Sequence, residues 1–277
     1  MARRRIVDEP TSRLAIWARR CAFFSLAATV LAIVIVRSGL LEIEPALATL
    51  AAALVMAGFA VVLAFGAFIV IWRQGVAGLG YSLAALAIGA ALLAYPGYLA
   101  SRAYLLPAIN DITTDATDPP RFDAIARLRP RGTVEYAGPA AAQQQRRAYP
   151  DIEPLNVAAT PQLAYEAVLG VVNKRKWRVV VDRPPQPGRR DGQIEAVART
   201  PVMGFRDDVV VRVRATPDGA RIDARSASRY GRHDLGANAA RLKSLLEDTE
   251  EAAGRIVERR PAPAPARPQQ PAAPARR

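Results

Sequence analysis

The stretch PALATLAAALVMAGFAVVLAFGAFIVIW, from Pro45 to Trp72, decides the architecture of the chain because none of its twenty-eight residues is charged. As an α-helix it would be about 42 Å long, whereas the hydrocarbon core of a bilayer is about 30 Å thick. A second uncharged run of the same length extends from Gln74 to Ser101. Each run is therefore long enough to cross a membrane with tilt or with an extension into the interface.

A shorter uncharged run, from Cys21 to Val36, holds sixteen residues. Its helix would be about 24 Å long, so Arg19, Arg20 and Arg37 must extend their charged ends toward the headgroups. Three such runs leave no polar surface to cover them in water, which excludes a fully soluble protein. An alternative makes residues 1–48 a signal peptide cleaved at Ala46-Leu47-Ala48, but that tripeptide opens directly into the next run.

The three predicted spans contain small residues throughout, which let helices approach closely where lipid provides no hydrophobic drive. We therefore expect a packed transmembrane three-helix bundle. No Asp, Glu, Lys, Arg or His lies inside the runs, and this disfavours the proton relays and ion sites of transporters. Pro96, within Tyr95-Pro96-Gly97-Tyr98, is expected to end or kink the third span. The small residues include Ala57, Gly58, Gly66, Gly80 and Gly89.

The arginines beside the spans are unevenly distributed. Six lie in residues 1–20 and another is Arg73, against Arg37, Arg102 and Arg121 on the opposite side. Because positive residues favour the cytoplasmic side, the amino terminus is predicted to be cytoplasmic and the part after the third span to be outside. In a Gram-negative cell this means the inner membrane, with the carboxy-terminal part in the periplasm.

The composition excludes several classes of site. Cys21 and His233 are the only cysteine and histidine, so internal disulfides, cysteine-rich metal sites and multi-histidine centres are excluded. We expect no metal and no cofactor. The formal net charge of +13 is a sum of modest excesses spread along the chain. Since no basic helix or patch with interleaved aromatic residues concentrates that charge, nucleic acid is not an expected partner.

The part after the spans begins with residues 107–159, which are rich in turn formers and acids and are predicted to be an extended connector. Thr160 then provides a helix N-cap, with Pro161 at the first helical position, and the helix is expected to run to about Arg175. The predicted organisation is a basic amino-terminal segment (1–20), a three-span membrane domain (21–106), the connector (107–159), an α+β domain (160–258) and a Pro/Ala-rich disordered tail (259–277).

Alternating apolar residues after this helix predict four antiparallel strands, and Asp218-Gly219 predicts a hairpin between the last two. A closing helix is predicted from Asp234. The fold class is therefore a three-span transmembrane helical bundle plus an α+β domain of the order helix, four-stranded antiparallel sheet, helix, with both helices on the apolar face of the sheet. The strands are predicted at 177–182, 193–199, 208–215 and 220–229.

The other face of the predicted sheet is charged, and we expect it to face water. Planar guanidinium groups bind phosphate or carboxylate through paired hydrogen bonds, so this face is a candidate site for an anionic partner. The competing interpretation is cross-strand pairing on a wet surface, such as Arg212 with Asp223. The candidate binding residues are Arg212, Arg214, Arg225, Arg229 and Arg232, and Arg221 lies on the same face.

Acidic residues offer an alternative site. An enzyme cleft between connector and sheet would use Asp111, Asp115, Tyr149, Asp151 and Asp208. The spacing of Asp111, Asp115 and Asp118 does not fit a calcium loop, and these acids are expected to bond local backbone amides.

Two further groups of residues in the domain suggest catalysis but do not support it. Asp207 and Asp208 should point to opposite faces of a strand at a solvated entry, so they would not share a proton. Ser228, His233 and Asp234 are too close in sequence to favour a catalytic triad, and Asp234 is better placed as a helix cap.

Several motifs follow one another in the chain: Asp111-Ile112-Thr113-Thr114-Asp115 with Asp118-Pro119-Pro120, Tyr149-Pro150-Asp151-Ile152, Gly204-Phe205-Arg206-Asp207-Asp208-Val209, and Ser228-Arg229-Tyr230-Gly231-Arg232 running into Asp234-Leu235-Gly236-Ala237-Asn238. In these motifs the chain resembles domain-of-unknown-function family 1499, over roughly Asn110 to Leu246. The resemblance implies a bacterial, membrane-anchored protein, and it implies no activity and no catalytic residue.

These observations together predict a binding or structural module of the cell envelope, held in the inner membrane with its domain in the periplasm. The expected partners are the lipid bilayer and an anionic envelope component or a membrane protein. An envelope enzyme using the acidic residues is the alternative, and a regulator that signals through the bundle is a third class.

Overall fold

A computed structural model of the chain describes residues 9–39, 43–129, 135–186 and 191–258. Three helices, α1 (Arg13–Ser38), α2 (Ile43–Gln74) and α3 (Leu79–Leu105), are long and apolar enough to cross a membrane. The sequence prediction of three apolar helices is thus confirmed. Of the two outcomes expected at Pro96, an end or a kink of the third helix, the end is wrong, because α3 continues past that proline to Leu105. The tail at 259–277 lies outside the described residues.

The bundle packs its small residues inward and turns its large ones outward. Gly89 of α3 meets α2 so closely that a Cβ there would lie 2.4 Å from Val61 Cγ2 and 3.3 Å from the Ala57 carbonyl oxygen. Phe24 and Phe59, by contrast, are exposed on the outer surface. This arrangement suits lipid, where close backbone approach replaces the hydrophobic effect. The inner residues include Ala18, Ala22, Ala60, Ala64 and Ala85.

The remaining elements form one antiparallel sheet with helices. Its strand order is β1-β6-β5-β4-β3, and β2 also pairs with β6. Six strands replace the predicted four, because the turn-rich 107–159 segment contributes two strands of three residues, too short to produce an alternating pattern. The elements are β1 (Asp111–Thr113), a 3-10 helix (Ile125–Leu128), α4 (Pro139–Ala148), β2 (Leu155–Val157), α5 (Pro161–Lys174), β3 (Arg178–Arg183), β4 (Asp191–Arg199), β5 (Arg206–Thr216), β6 (Gly219–Ser228) and α6 (Ala237–Glu258).

Local sequence signals explain most of these boundaries. The Thr160 hydroxyl accepts from the Leu163 N–H and caps α5 as predicted. Thr216 pairs with Gly219 across the predicted hairpin, and the +144° φ of Gly219 suits only glycine. The closing helix begins at Ala237 rather than Asp234, since the Asp234 carboxylate caps it from outside by accepting from the N–H groups of Gly236 and Asn238.

Each face of the sheet is covered. Helices α5 and α6 pack on the face that carries Val209, Val211 and Ile222, as the alternation predicted. The opposite face was expected to be wet, but the segment 114–129 lies across it and packs Phe122 and Ile125 against Val210 and Ala227. The acidic side chains of this face and Arg225 are consequently buried, and Arg212, Arg214 and Arg221 are half-buried.

The α+β domain lies against one end of the bundle. At the end of α1, Arg37 Nη1 donates to the carbonyl oxygens of Pro201 at 2.6 Å and Val202 at 2.9 Å. Near the end of α3, Arg102 Nε donates to the Leu235 carbonyl at 3.2 Å. Two helix-terminal arginines therefore hold the domain at the end of the apolar helices.

Candidate functional site

The charged face of the sheet is an arginine–aspartate layer, which we define as Asp111, Asp208 and Asp223 with the arginines that bind them. Asp223 is fully buried on β6 and accepts from three arginines. Its contacts are Arg212 Nη2 at 3.1 Å, Arg214 Nη2 at 2.7 Å and Arg221 Nε at 2.8 Å. The predicted pairing of Arg212 with Asp223 is confirmed, although the segment 114–129 partly covers this face.

Arg225 occupies the centre of this layer, with 2% of its surface exposed. Its Nε and Nη2 donate to the two carboxylate oxygens of Asp111 at 2.9 and 2.7 Å, and Nη1 donates to the Pro120 carbonyl. The guanidinium lies 4.8 Å from the Phe122 ring centroid and 5.6 Å from that of Tyr136. Arg225 is therefore held on every side by the fold, which is a structural role.

Asp208 is fully buried at the start of β5 and binds two arginines. Arg129 Nε donates to it at 2.6 Å, and Arg229 Nη2 donates at 2.8 Å. Its neighbour Asp207 points to the opposite face and pairs with Arg241 of α6. The prediction that these two aspartates face apart is confirmed, but the solvated strand entry expected for them is wrong because both are buried.

Another buried carboxylate, Glu195 of β4, has no arginine partner among the described residues. Its Oε1 accepts from the N–H groups of Asp123 at 2.8 Å and Ala124 at 3.2 Å, and its Oε2 accepts from that of Ile125 at 2.8 Å. Glu195 thus caps the start of the 3-10 helix, where unpaired N–H groups favour a negative charge. This contact attaches the covering segment to the sheet.

The residues of the proposed enzyme cleft are not brought together. Asp111 and Asp208 are engaged in the layer just described, and Asp151 is exposed beside Lys243 of α6. Asp115 accepts from the N–H groups of Thr117 and Asp118 at 3.0 Å, as expected for a turn. Burial opposes ionisation of Asp115, but those N–H groups and the charges of Arg221 and Arg212 outweigh it and lower its pKa.

Tyr149 and the Ser228, His233, Asp234 trio give no catalytic geometry either. Burial raises the pKa of Tyr149, so its hydroxyl stays protonated. His233 Nδ1 accepts from the Leu235 N–H at 3.0 Å, and the Ser228 hydroxyl accepts from Asn238 at 2.9 Å. Asp234 is occupied as the helix cap. Within the described ranges, no three His, Cys, Asp or Glu side chains are grouped to hold a metal ion.

A cavity of about 660 Å³ opens at the end of β6 where the chain leaves α3. Arg229 and Arg232, two of the predicted binding residues, line it, whereas Arg212 and Arg214 do not. Burial raises the pKa of Tyr136 on its wall to about 12, assisted by the nearby charge of Asp111, so this phenol is a neutral hydrogen-bond donor. The exposed Arg232 makes no ion pair with the described residues. The other lining residues include Asn110, Asp111, Arg129 and Glu135.

Sequence reasoning missed the residues that tie the 107–159 segment to the sheet. Gln145 of α4 donates to the Thr113 carbonyl at 2.6 Å and accepts from the Thr113 N–H at 3.1 Å, as a neighbouring strand would. Asn238 of α6 donates to the carbonyl of Asn110 and to Ser228. The one signal in the sequence for Asn238 is that a polar residue occurs on the apolar side of a helix.

The fold and this site define a class of protein: an antiparallel α+β domain on three apolar helices, compatible with a membrane-anchored module. Residues 111–248 match the family model described as protein of unknown function (DUF1499). Through this segment the chain belongs to the DUF1499 family, as its motifs predicted. A search of curated proteins found no match to the chain.

Proposed function

We propose that the chain is an inner-membrane anchored binding module whose α+β domain faces the periplasm and takes up an anionic group of the cell envelope. The three apolar helices and the uneven distribution of arginines support the anchor and its orientation. The observation that carries the binding role is the cavity beside β6, where Arg232 is exposed without a carboxylate partner among the described residues.

The charge around this cavity favours an anion. Arg129 and Arg229 bind Asp208, Arg225 pairs with the lining Asp111, and Arg232 adds a positive charge at the rim. Glu135 opposes them from the other wall. The protonated Tyr136 hydroxyl donates to Gln145 Oε1 at 3.4 Å and cannot act as a base at neutral pH, which supports binding rather than acid–base catalysis.

Orientation is tested with a fluorescent reporter that matures only in the cytoplasm, fused after Glu258 at the end of α6. The fusion should be dark, while the same reporter fused after Gln74, between α2 and α3, should be bright. A bright fusion after Glu258 would contradict the periplasmic placement.

Anion binding is tested by calorimetric titration of the full-length protein in neutral detergent with citrate and inorganic phosphate as probes, and with a neutral sugar at matched ionic strength. Arg232→Gln should weaken binding of the anions about tenfold, since one charge-assisted contact is removed. Arg121→Gln, an exposed arginine elsewhere, should leave it unchanged. If Arg232→Gln binds the anions as tightly as Arg121→Gln does, the cavity is not the anion-binding site.

A further inference from the structure

The turn between β4 and β5, with sequence TPVMGF from Thr200 to Phe205, lies against the last turn of α1. Arg37 donates to the carbonyls of Pro201 and Val202, as described above. A Cβ on Gly204 would lie 3.2 Å from Arg37 Cγ, so the turn and the helix end are in close contact. We call Arg199–Arg206 the juxtamembrane turn.

This turn has a fixed shape and an apolar tip. The N–H of Gly204 donates to the Thr200 carbonyl at 3.0 Å, and the N–H of Thr200 donates to the Phe205 carbonyl at 2.9 Å. The side chains at the tip are Pro201, Val202 and Met203, of which Pro201 is exposed and the others are half-buried. An apolar tip held rigidly in this way needs no ordering when it meets an apolar medium.

Arginines flank the tip on both sides. Arg199 and Arg206 are directly opposite each other in the sheet and both are exposed. Arg199 Nη1 lies 3.4 Å from the Arg37 carbonyl oxygen, and Arg206 Nη2 lies 3.9 Å from where a Cβ of Gly39 would be. No carboxylate of the described residues lies within 4.0 Å of the guanidinium of Arg37, Arg199 or Arg206.

The two acids that follow Arg206 in the sequence do not neutralise this cluster. Asp207 is engaged by Arg241 and Asp208 by Arg129 and Arg229. Three arginines gathered around this turn therefore form a local positive potential that attracts an anion. This contrasts with the arginine–aspartate layer, where each candidate arginine has an internal acidic partner.

The position of the cluster identifies the anion. Arg37 belongs to the last turn of an apolar helix, so it lies at the boundary between hydrocarbon and headgroups if α1 crosses the bilayer. Apolar side chains beside exposed arginines are the composition of a segment that contacts an anionic lipid surface. We propose that the juxtamembrane turn, with Arg37, binds the phosphate of an anionic phospholipid headgroup. This rests on the membrane anchor of the proposed function but not on the anion cavity.

Lipid selectivity tests the proposal. Full-length protein, stripped of lipid in neutral detergent, is titrated with phosphatidylglycerol or phosphatidylcholine, and bound lipid is counted by native mass spectrometry. The double variant Arg199→Gln/Arg206→Gln should bind phosphatidylglycerol about thirtyfold more weakly, because each arginine near a membrane surface provides a roughly fivefold factor. Arg121→Gln, which is exposed beside the start of β4, should bind like the unmodified protein.

The proposal is overturned if the unmodified protein binds both lipids equally or if the double variant keeps its selectivity. Binding of inorganic phosphate as tight as that of phosphatidylglycerol would also overturn it, because the apolar tip would then contribute nothing.

The depth of spin labels in the membrane tests the lipid contact of the turn and the membrane anchor separately. Spin labels are placed by Val62→Cys on α2, Val202→Cys at the tip and Asp218→Cys at the far hairpin, each with Cys21→Ser, in phosphatidylglycerol-containing vesicles. The expected depths are hydrocarbon, headgroup region and water. A label at Val62 in water refutes the anchor, whereas labels at Val62 in hydrocarbon and at Val202 in water refute only the lipid contact.

Discussion

Replacing the central arginine of the buried layer, Arg225→Met, should destabilise the domain more than any surface substitution. The side chain of Arg225 is 2% exposed and that of its partner Asp111 is 10% exposed, so the variant leaves a buried carboxylate without its counterion. Such a loss costs about 3–5 kcal/mol, a large share of the roughly 5–15 kcal/mol that stabilises a typical domain.

A double-mutant cycle with Asp111, the partner of Arg225, distinguishes the loss of charge pairing from the loss of packing. Asp111→Leu alone leaves the buried guanidinium of Arg225 without its counterion and should lower the free energy of unfolding by a similar amount. The double variant Arg225→Met/Asp111→Leu removes both charges and should recover most of the stability, because an apolar pair of similar volume is tolerated in such a site.

The assay is denaturant unfolding of the full-length protein in neutral detergent, followed by the fluorescence of Trp177. Trp17 and Trp72 lie in α1 and α2 and are replaced by phenylalanine in every sample. The exposed Arg121→Gln serves as a control and should remain within about 0.5 kcal/mol of the reference. The reasoning is refuted if Arg225→Met costs less than about 1 kcal/mol, or if the double variant costs the sum of the two single variants.

Three further predictions concern other parts of the molecule. Glu195→Gln should lower the free energy of unfolding by about 2 kcal/mol through the loss of charge-assisted bonds to backbone N–H groups, whereas exposed Glu166→Gln should not, as measured by the same denaturation. Gly89→Val should lower the midpoint of thermal unfolding in detergent, since overpacking costs about 1–3 kcal/mol, while Gly58→Val, with no atom within 4 Å of its Cβ, should have little effect. Because the pKa of Asp115 is lowered by folding, its stabilising contribution is complete above about pH 4 and is lost as the pH falls through the folded value, so Asp115→Asn should flatten the pH dependence of unfolding in that range.

The charged face of the sheet was predicted from the sequence only in part. Alternation in β5 and β6 predicted which side chains share a face, and the register of Arg212 with Asp223 followed from the hairpin. The same pattern was interpreted as a wet surface, because nothing in the alternation reveals that another segment covers it. The covering segment is held by Glu195, whose three acceptor contacts reach about seventy residues back along the chain.

For the same reason, the sequence did not show which candidate binding residues are paired with carboxylates and which are exposed. Arg225 and Arg229 proved to be bound by Asp111 and Asp208, and only Arg232 was left exposed at the cavity. Arg199 and Arg206, which flank the juxtamembrane turn, were not singled out, since their significance depends on the position of Arg37.

Hydropathy, capping residues and turn residues act over a few positions, and the sequence by itself therefore determined the three apolar helices, the start of α5, the central hairpin and the family. Tertiary structure alone decided which arginines are neutralised, where β1 and β2 join the sheet and which loop meets the end of α1. Those outcomes depend on contacts between residues distant in the chain, because the energy of a charge is set by burial and by partners that no local pattern specifies.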